Sequence, residues 1–496
     1  MDTFVNKDTD TPRPHVALGD MPTDEFRKFG HQLIDWVADY LDTVDQKPVL
    51  PSIHPGDVIR SLPSVPPQTG EPMQQILADV DRFIMPGMTH WNHPRFHAYF
   101  NSSSSGPGIL GELLSAGFNA NGMVWESCPA VSELEEVTLG WLRHMLGLPK
   151  EHWGMILDTA STSTLHGIAA ARESLTDLKT REHGMPGRND LPRLRVYLSD
   201  FAHSSVEKAV ITLGLGIDGM RKIAVDDQFR MRPESLAEAI ADDRLHGIRP
   251  CCVVATVGTT SCTSIDPIPA IADICEREKI WLHVDAAYGG SAAIIPEMRW
   301  ILEGCDRADS FVVNPHKWMF VPVDLSVLYT RKPDVMRQAF SLVPEYLRTA
   351  HDDIVRNLMD YGVPLGRRFR ALKLWFVLRY FGWDGLAARL REHLRIAQQF
   401  KRWVDADPSF EVLAPVQFGT VCFRAHPKGI DDERSLSKLN DDLINAVNGS
   451  RETFLSHTKL GERYTIRMVV GHLKTQESHA RQVWQQMQKE LKTLVA

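Results

Sequence analysis

The chain has 496 residues, 43% of them hydrophobic, and a formal net charge of -8. That length supports a large core and more than one domain, while the dispersed charge, with no basic tract or Arg-rich arm, excludes nucleic acid as an expected partner. The start "MDTFVNKDTDTPRPHVALGD" is polar, with no apolar signal core, and no apolar run approaches membrane-spanning length, so no membrane partner is expected either.

In chain order, "MPTDEFRKFGHQLIDWVADYLDTV" predicts an amphipathic helix over residues 23 to 41. Thr23 is its expected N-cap, Asp24 and Glu25 lie in the first turn, and Phe26, Phe29, Leu33, Trp36, Val37 and Tyr40 share one face. A face this apolar needs a covering surface, which a second subunit would provide. "KPVLPSIHPGDVIRSLPSVPPQTGEP" follows, and its seven prolines predict an extended connector without regular structure.

From about residue 105 to 330 short apolar strands alternate with helical stretches. "RVYLSDFAHSS" precedes the helix "VEKAVITLG"; "PCCVVATVGTT" precedes "IPAIADICERE"; "IWLHVDAAYGG" ends as a strand on Asp285 and "DSFVVNPHKW" on Lys317. Strands this apolar, separated by helices, predict a parallel sheet covered on both faces. In such sheets ligands bind beyond the carboxyl ends of the strands, where His203, Thr260, Asp285 and Lys317 fall. The strand candidates "FEVLAPVQ", "GTVCFRAHP" and "YTIRMVVG" and the helix "ESHARQVWQQMQKELKTLV" predict a smaller α+β domain at the end. The expected division is an N-terminal helical and extended segment over 1–104, a large α/β domain over 105–374 and the small domain over 375–496.

The seven cysteines are scattered, with one adjacent pair (Cys251, Cys252) and no C-x-x-C. This predicts reduced thiols and a cytoplasmic protein. The 20 histidines include no H-E-x-x-H, and no metal is expected.

In "VVNPHKWMF" a lysine stands between a proline turn and an aromatic cluster. Its stem can lie on Trp318 with its charge in water. Alternatively it loses water, its pKa falls, and the amine becomes a nucleophile suited to a Schiff base. Asp285 lies 32 residues earlier; a strand-end carboxylate can cap a turn, or it can keep a pyridine nitrogen protonated. Pyridoxal phosphate is a cofactor that needs such a lysine and such a carboxylate together. Its phosphate needs N–H donors and hydroxyls at a helix start, offered by Thr159, Ala160 and Ser161 in "GMILDTASTSTLHGIAAARE", a stretch that also reads as an ordinary Ser/Thr N-cap. Asp158 should point away from a phosphate there. His203 can stack flat on a pyridine ring or serve as a cap before its helix.

"NPHKW", "HVDAAY", "AHSSVEKA", "ATVGTT", "THWNHPRFHAYF" and "PLGRRFRALKLWF" together resemble the group II pyridoxal-phosphate-dependent amino acid decarboxylases, and within them the aromatic-L-amino-acid branch. The resemblance runs from about residue 20 to the end. It implies a fold-type-I α/β homodimer whose active site lies at the subunit interface, with the N-terminal helices packed on the partner. It implies that Lys317 carries the Schiff base, that Asp285 pairs with the pyridine nitrogen, and that Ala287 supports the ring face opposite His203. It implies further that Ala160, Ser161 and Asn314 hold the phosphate, that Thr260 lies near ring and substrate, and that His316 is in the site.

The same resemblance places Tyr346, in "SLVPEYLRTAHDD", where a loop tyrosine is linked to Cα protonation. Relatives that form aldehydes tend to lose this tyrosine or the stacking histidine, and the chain keeps both, which implies amine formation. The implied substrate pocket includes Trp91, Tyr99, Phe100, Asn101, Met123, Thr260 and Gly366. Gly366 stands where histidine decarboxylases have Ser, which favours indole, catechol or phenyl substrates. Asn101 (Pro in animal enzymes), Met123 (aromatic there) and Thr162 (Glu there) depart from the pattern. The expected reaction is decarboxylation of tryptophan, dopa, tyrosine or phenylalanine to the amine. The alternatives are an O2-using aldehyde synthase and, behind it, a histidine decarboxylase.

Overall fold

The computed structural model describes residues 19–342 and 354–496. The described residues divide into two compact units, one of 19–47 and 51–88, the other of 48–50, 89–342 and 354–496. In the first unit the expected helix runs Thr23–Thr43; Pro22, not Thr23, is its N-cap, and Asp24 and Glu25 occupy its first turn. None of its residues is buried, and Phe26 is 65% exposed. The connector is not wholly irregular. Gly56, at φ 91°, turns the chain into the short helix Asp57–Ser61, which fits between prolines because it contains none.

The second unit holds two sheets. The larger has seven strands in the order β2-β8-β7-β6-β5-β3-β4: β2 Trp153–Leu157, β3 Leu194–Ser199, β4 Met220–Ile223, β5 Arg249–Thr256, β6 Trp281–Asp285, β7 Ser310–Val313 and β8 Ser326–Thr330. The pairs from β4 to β7 are parallel, and β8 runs against both β7 and β2. β6 and β7 are buried along their whole length, as expected of strands covered on both faces. The helix Ala160–Glu173 packs close to the sheet because its residues are small: a Cβ on Gly167 would stand 2.6 Å from His283 Nδ1.

The smaller sheet has five strands, β1-β11-β12-β10-β9: β1 Phe96–His97, β9 Phe410–Val412, β10 Thr420–Ala425, β11 Phe454–Leu460 and β12 Arg463–Val469. β1 pairs in parallel with the start of β11, so residues 96–97, expected within an N-terminal segment, belong to the C-terminal sheet. The helix Arg370–Asp405 runs across the expected boundary at 374, with a kink at Gly382 (φ 65°). Among the described residues no helix is long and apolar enough to cross a membrane.

Candidate active site

Three adjacent strands end at one place. Val257 N–H donates to Asp285 O (2.9 Å), Ala286 N–H to Val312 O (3.0 Å) and Asn314 N–H to Ala287 O (3.1 Å), so the carboxyl ends of β5, β6 and β7 stay knitted after the ladder stops. Lys317 does not lie at the end of a strand. β7 stops at Val313, Asn314 follows in extended conformation, and Lys317 sits in the single helical turn Pro315–Trp318. Proline at the first position of that turn explains the stop, since it has no N–H for the ladder and a φ suited to a helix.

These ends and the start of the helix Ala160–Glu173 enclose a cavity of about 160 Å3. It is lined by Thr159, Ala160, Ser161, His203, Thr260, Asp285, Ala287, Asn314, His316 and Lys317, together with Phe100. All ten residues expected around the cofactor therefore meet in one place. Thr256, Gly258 and Tyr288 line it as well, and the sequence reading had not singled them out. Gly258 and Thr256 fall within "ATVGTT", so the motif held a signal for them. A Cβ on Gly258 (φ 90°) would meet Gly289 N at 3.2 Å, so the close approach of two strand ends needs glycine.

Burial pushes the Lys317 ammonium pKa down, and the Asp285 carboxylate opposes that shift. Its Nζ stands 5.3 Å from the centre of the Phe100 ring. That ring stacks on Tyr288 (3.9 Å, 9°), which stacks on Trp318 (4.7 Å, 12°). Lys317 thus borders aromatic faces and is not a solvated surface cation. Asp285 is buried, and Oδ1 accepts the Ala287 N–H at 3.0 Å.

The two histidines have fixed tautomers. Ser205 N–H donates to His203 Nδ1 at 3.1 Å, so a neutral His203 carries its proton on Nε2. Burial lowers its pKa, Lys317 adds to that, and Asp285 opposes it. Leu325 N–H donates to His316 Nδ1 at 2.8 Å, placing that proton on Nε2 as well, 3.4 Å from the Asn314 amide. Burial and the adjacent Lys317 hold His316 down at about 4. At the start of the helix Ala160–Glu173 no side chain caps the backbone. Ser163 N–H returns to Thr159 O (3.0 Å), which leaves the earlier amides as donors. Asp158 takes the Thr159 N–H at 2.6 Å and does not line the cavity.

Pyridoxal phosphate fits this donor set. A primary amine, a carboxylate, an imidazole and an uncapped helix start face one cavity, and one of its buried polar atoms, Thr256 Oγ1, has no partner among the described residues.

The expected substrate residues divide. Phe100 and Thr260 line the cavity. Trp91 and Tyr99 do not: they stack on each other (5.8 Å) beside Phe96 and Phe454, and are 40% and 51% exposed. The left-handed backbone at Tyr99 (φ 56°) separates the directions of the two neighbouring rings. Asn101 is buried with its amide on Phe96 O (3.3 Å) and against Gly471. Met123 packs with Val124 and Met359, and Gly366 lies by Asn121, whose Oδ1 takes the Arg367 N–H. None of these five lines the cavity of its own chain. Tyr346 lies outside the described residues.

The family described as the pyridoxal-dependent decarboxylase conserved domain matches residues 55–426. A phenylacetaldehyde synthase from Arabidopsis thaliana is 39% identical over 489 residues, 97% of this chain and 98% of that protein. An aromatic-L-amino-acid decarboxylase from Rattus norvegicus is 37% identical over 476 residues, 94% and 97% of the two chains. The crystal structure of Oryza sativa TDC with PLP and tryptamine superposes with a TM-score of 0.93 at 35% identity, covering 97% of this chain and all 100% of that one. The mostly parallel sheet with its small C-terminal sheet is the expected fold type I.

Proposed function

The chain belongs to the pyridoxal-dependent decarboxylases, and from that premise we propose that it removes the α-carboxylate of an aromatic L-amino acid and releases the amine and CO2. The observation that carries this reading is the meeting of Lys317, Asp285 and a neutral His203 in one cavity with an aromatic wall. Pyridoxal phosphate supplies an aldehyde for amines and a ring that withdraws electrons from the substrate Cα. Lys317 would hold that aldehyde, and Asp285 the ring nitrogen. The amides of Ala160 and Ser161 and the hydroxyls of Thr159 and Ser161, with Asn314, would hold the phosphate.

His203 offers its Nε2–H to the cavity, while Ser205 fixes the ring from the other nitrogen. Phe100, backed by Tyr288, offers a flat apolar face to an aromatic side chain. The sequence keeps both Tyr346 and His203, and that retention favours the amine over the aldehyde.

We also infer a homodimer. The exposed apolar residues of the helix Thr23–Thr43, among them Phe26, Leu33 and Ile34, support it. So does the placement of Met123 and Gly366 away from their own chain's cavity, as residues serving a partner's site would be. All seven cysteines are free thiols, which supports a reducing cytoplasm.

A second reading, aldehyde formation with O2, has the 39% identical phenylacetaldehyde synthase in its favour. One experiment separates the two. Protein loaded with pyridoxal phosphate is given tryptophan, dopa, tyrosine, phenylalanine and histidine, and products are identified by mass spectrometry with a peroxide assay. Amine without peroxide is expected from at least one aromatic substrate. Aldehyde, ammonia and peroxide would replace the decarboxylase reading by the synthase.

A further inference from the structure

Arg467, on β12, is only 4% exposed. The titratable groups around it are Cys422, Tyr288 and Cys262, and burial raises the pKa of all three, so they stay neutral. Among the described residues no carboxylate pairs with it. An apolar side chain of that volume would serve folding at least as well as an unpaired buried cation, so the reason for arginine must lie in what its fork holds.

Nε–H donates to Ser261 O (2.8 Å), an Nη1–H to Ser456 Oγ (2.9 Å) and an Nη2–H to Tyr99 O (3.4 Å). The guanidinium carbon stands 5.3 Å from the centre of the Phe100 ring. Ser456 Oγ accepts the Tyr99 N–H as well (3.1 Å). Arg467 and Ser456 thus hold both backbone polar groups of Tyr99, a non-glycine residue in the left-handed region at φ 56°. The Ser261 loop has a second such residue, Thr263 at φ 59°. Backbone of this kind persists only where its surroundings enforce it, and it gathers at functional sites. The two segments so held carry Phe100 and Thr260 into the cavity wall.

We propose that Arg467 is a positioning residue: its three-way clamp, with Ser456, fixes Phe100 and Thr260 and so sets how tightly the cavity grips an aromatic side chain. This rests on reading the cavity as the pyridoxal phosphate and amino acid site. Lysine keeps the charge but cannot reach three acceptors with one planar fork.

The test compares wild type with Arg467→Lys and Ser456→Ala, all loaded with pyridoxal phosphate. It reads the visible circular dichroism of the bound cofactor, the cofactor stoichiometry, and KM and kcat for an aromatic L-amino acid the wild type converts. In Arg467→Lys we expect an altered dichroic band at unchanged stoichiometry, and KM raised about tenfold with kcat within about threefold, the pattern of lost substrate grip. Ser456→Ala should move both readouts the same way by less. Wild-type bands and KM in both variants would overturn the proposal. So would activity lost only in proportion to the fraction folded. If Arg467→Lys does not fold, Ser456→Ala decides alone. If the wild type converts no aromatic amino acid, the function reading falls, and the dichroism comparison still decides the clamp.

Discussion

Burial and Asp285 act in opposite directions on the charge of Lys317. Burial favours the neutral amine, and the carboxylate favours the ammonium. Removing the anion in Asp285→Asn should therefore lower the Lys317 pKa further. The rate at which apoprotein takes up pyridoxal phosphate, followed by the growth of visible absorbance, should rise with pH as the neutral amine appears. Its midpoint should lie below the ordinary lysine value and move lower still in Asp285→Asn. A midpoint unchanged by the substitution would show that the two groups do not interact. These two residues were legible in the sequence because one apolar strand ends on the aspartate of "HVDAAY" and another runs into "NPHKW", whose lysine follows in the next turn. Tyr288, the last letter of that "HVDAAY", was not singled out, because nothing local marks a ring that will stack under Phe100. Nor does sequence tell which ring of the pair Tyr99 and Phe100 turns inward, since a left-handed residue between them decides it.

At the scale of elements, the strand and helix starts around the cavity follow local rules. Proline stops β7 and opens the turn that carries Lys317, and small residues let the helix Ala160–Glu173 approach the sheet. Another close approach joins the helices Gly106–Phe118 and Arg370–Asp405, where a Cβ on Gly111 would stand 2.7 Å from the Lys373 Cα. Backbone cannot yield as a flexible side chain does. Gly111→Val should destabilise the protein by about 1–3 kcal/mol through overpacking, read as a lowered urea midpoint with unchanged slope. An unchanged midpoint would mean that the helix pair has slack. β11 escaped the sequence reading because "FLSHTKL" mixes buried and exposed positions without clean alternation; pairing with β12 and β1 makes it a strand. The kinked helix Arg370–Asp405 likewise hides the expected boundary at 374, because one helix serves both sides of it.

For the whole molecule, burial of histidine governs the response to acid. It pushes His97, His152, His166, His283, His316 and His393 down to about 4 and His472 to about 3, against an ordinary value of 6.5. The unfolded chain binds protons at these groups from about pH 6.5 downward, whereas the folded chain resists until about pH 4. Their contribution to stability is therefore whole above pH 6.5 and is lost as pH falls through that window. Asp266, raised by burial to about 6, works with the opposite sign but is one group against seven. Tm should fall steadily between pH 7 and 4.5; a flat profile would mean that these histidines accept protons without unfolding.

The sequence by itself determined the fold class and the cofactor and marked the residues that line the cavity, because that chemistry needs particular side chains at or just past the ends of particular strands, and those are written locally. Tertiary structure alone decided which aromatic residues face the cavity, that residues 96–97 join the C-terminal sheet, and that a buried arginine on β12 clamps two distant loops. Each depends on contacts between segments hundreds of residues apart, such as Tyr99 with Ser456 and Arg467, and no local pattern of residue types encodes such a meeting.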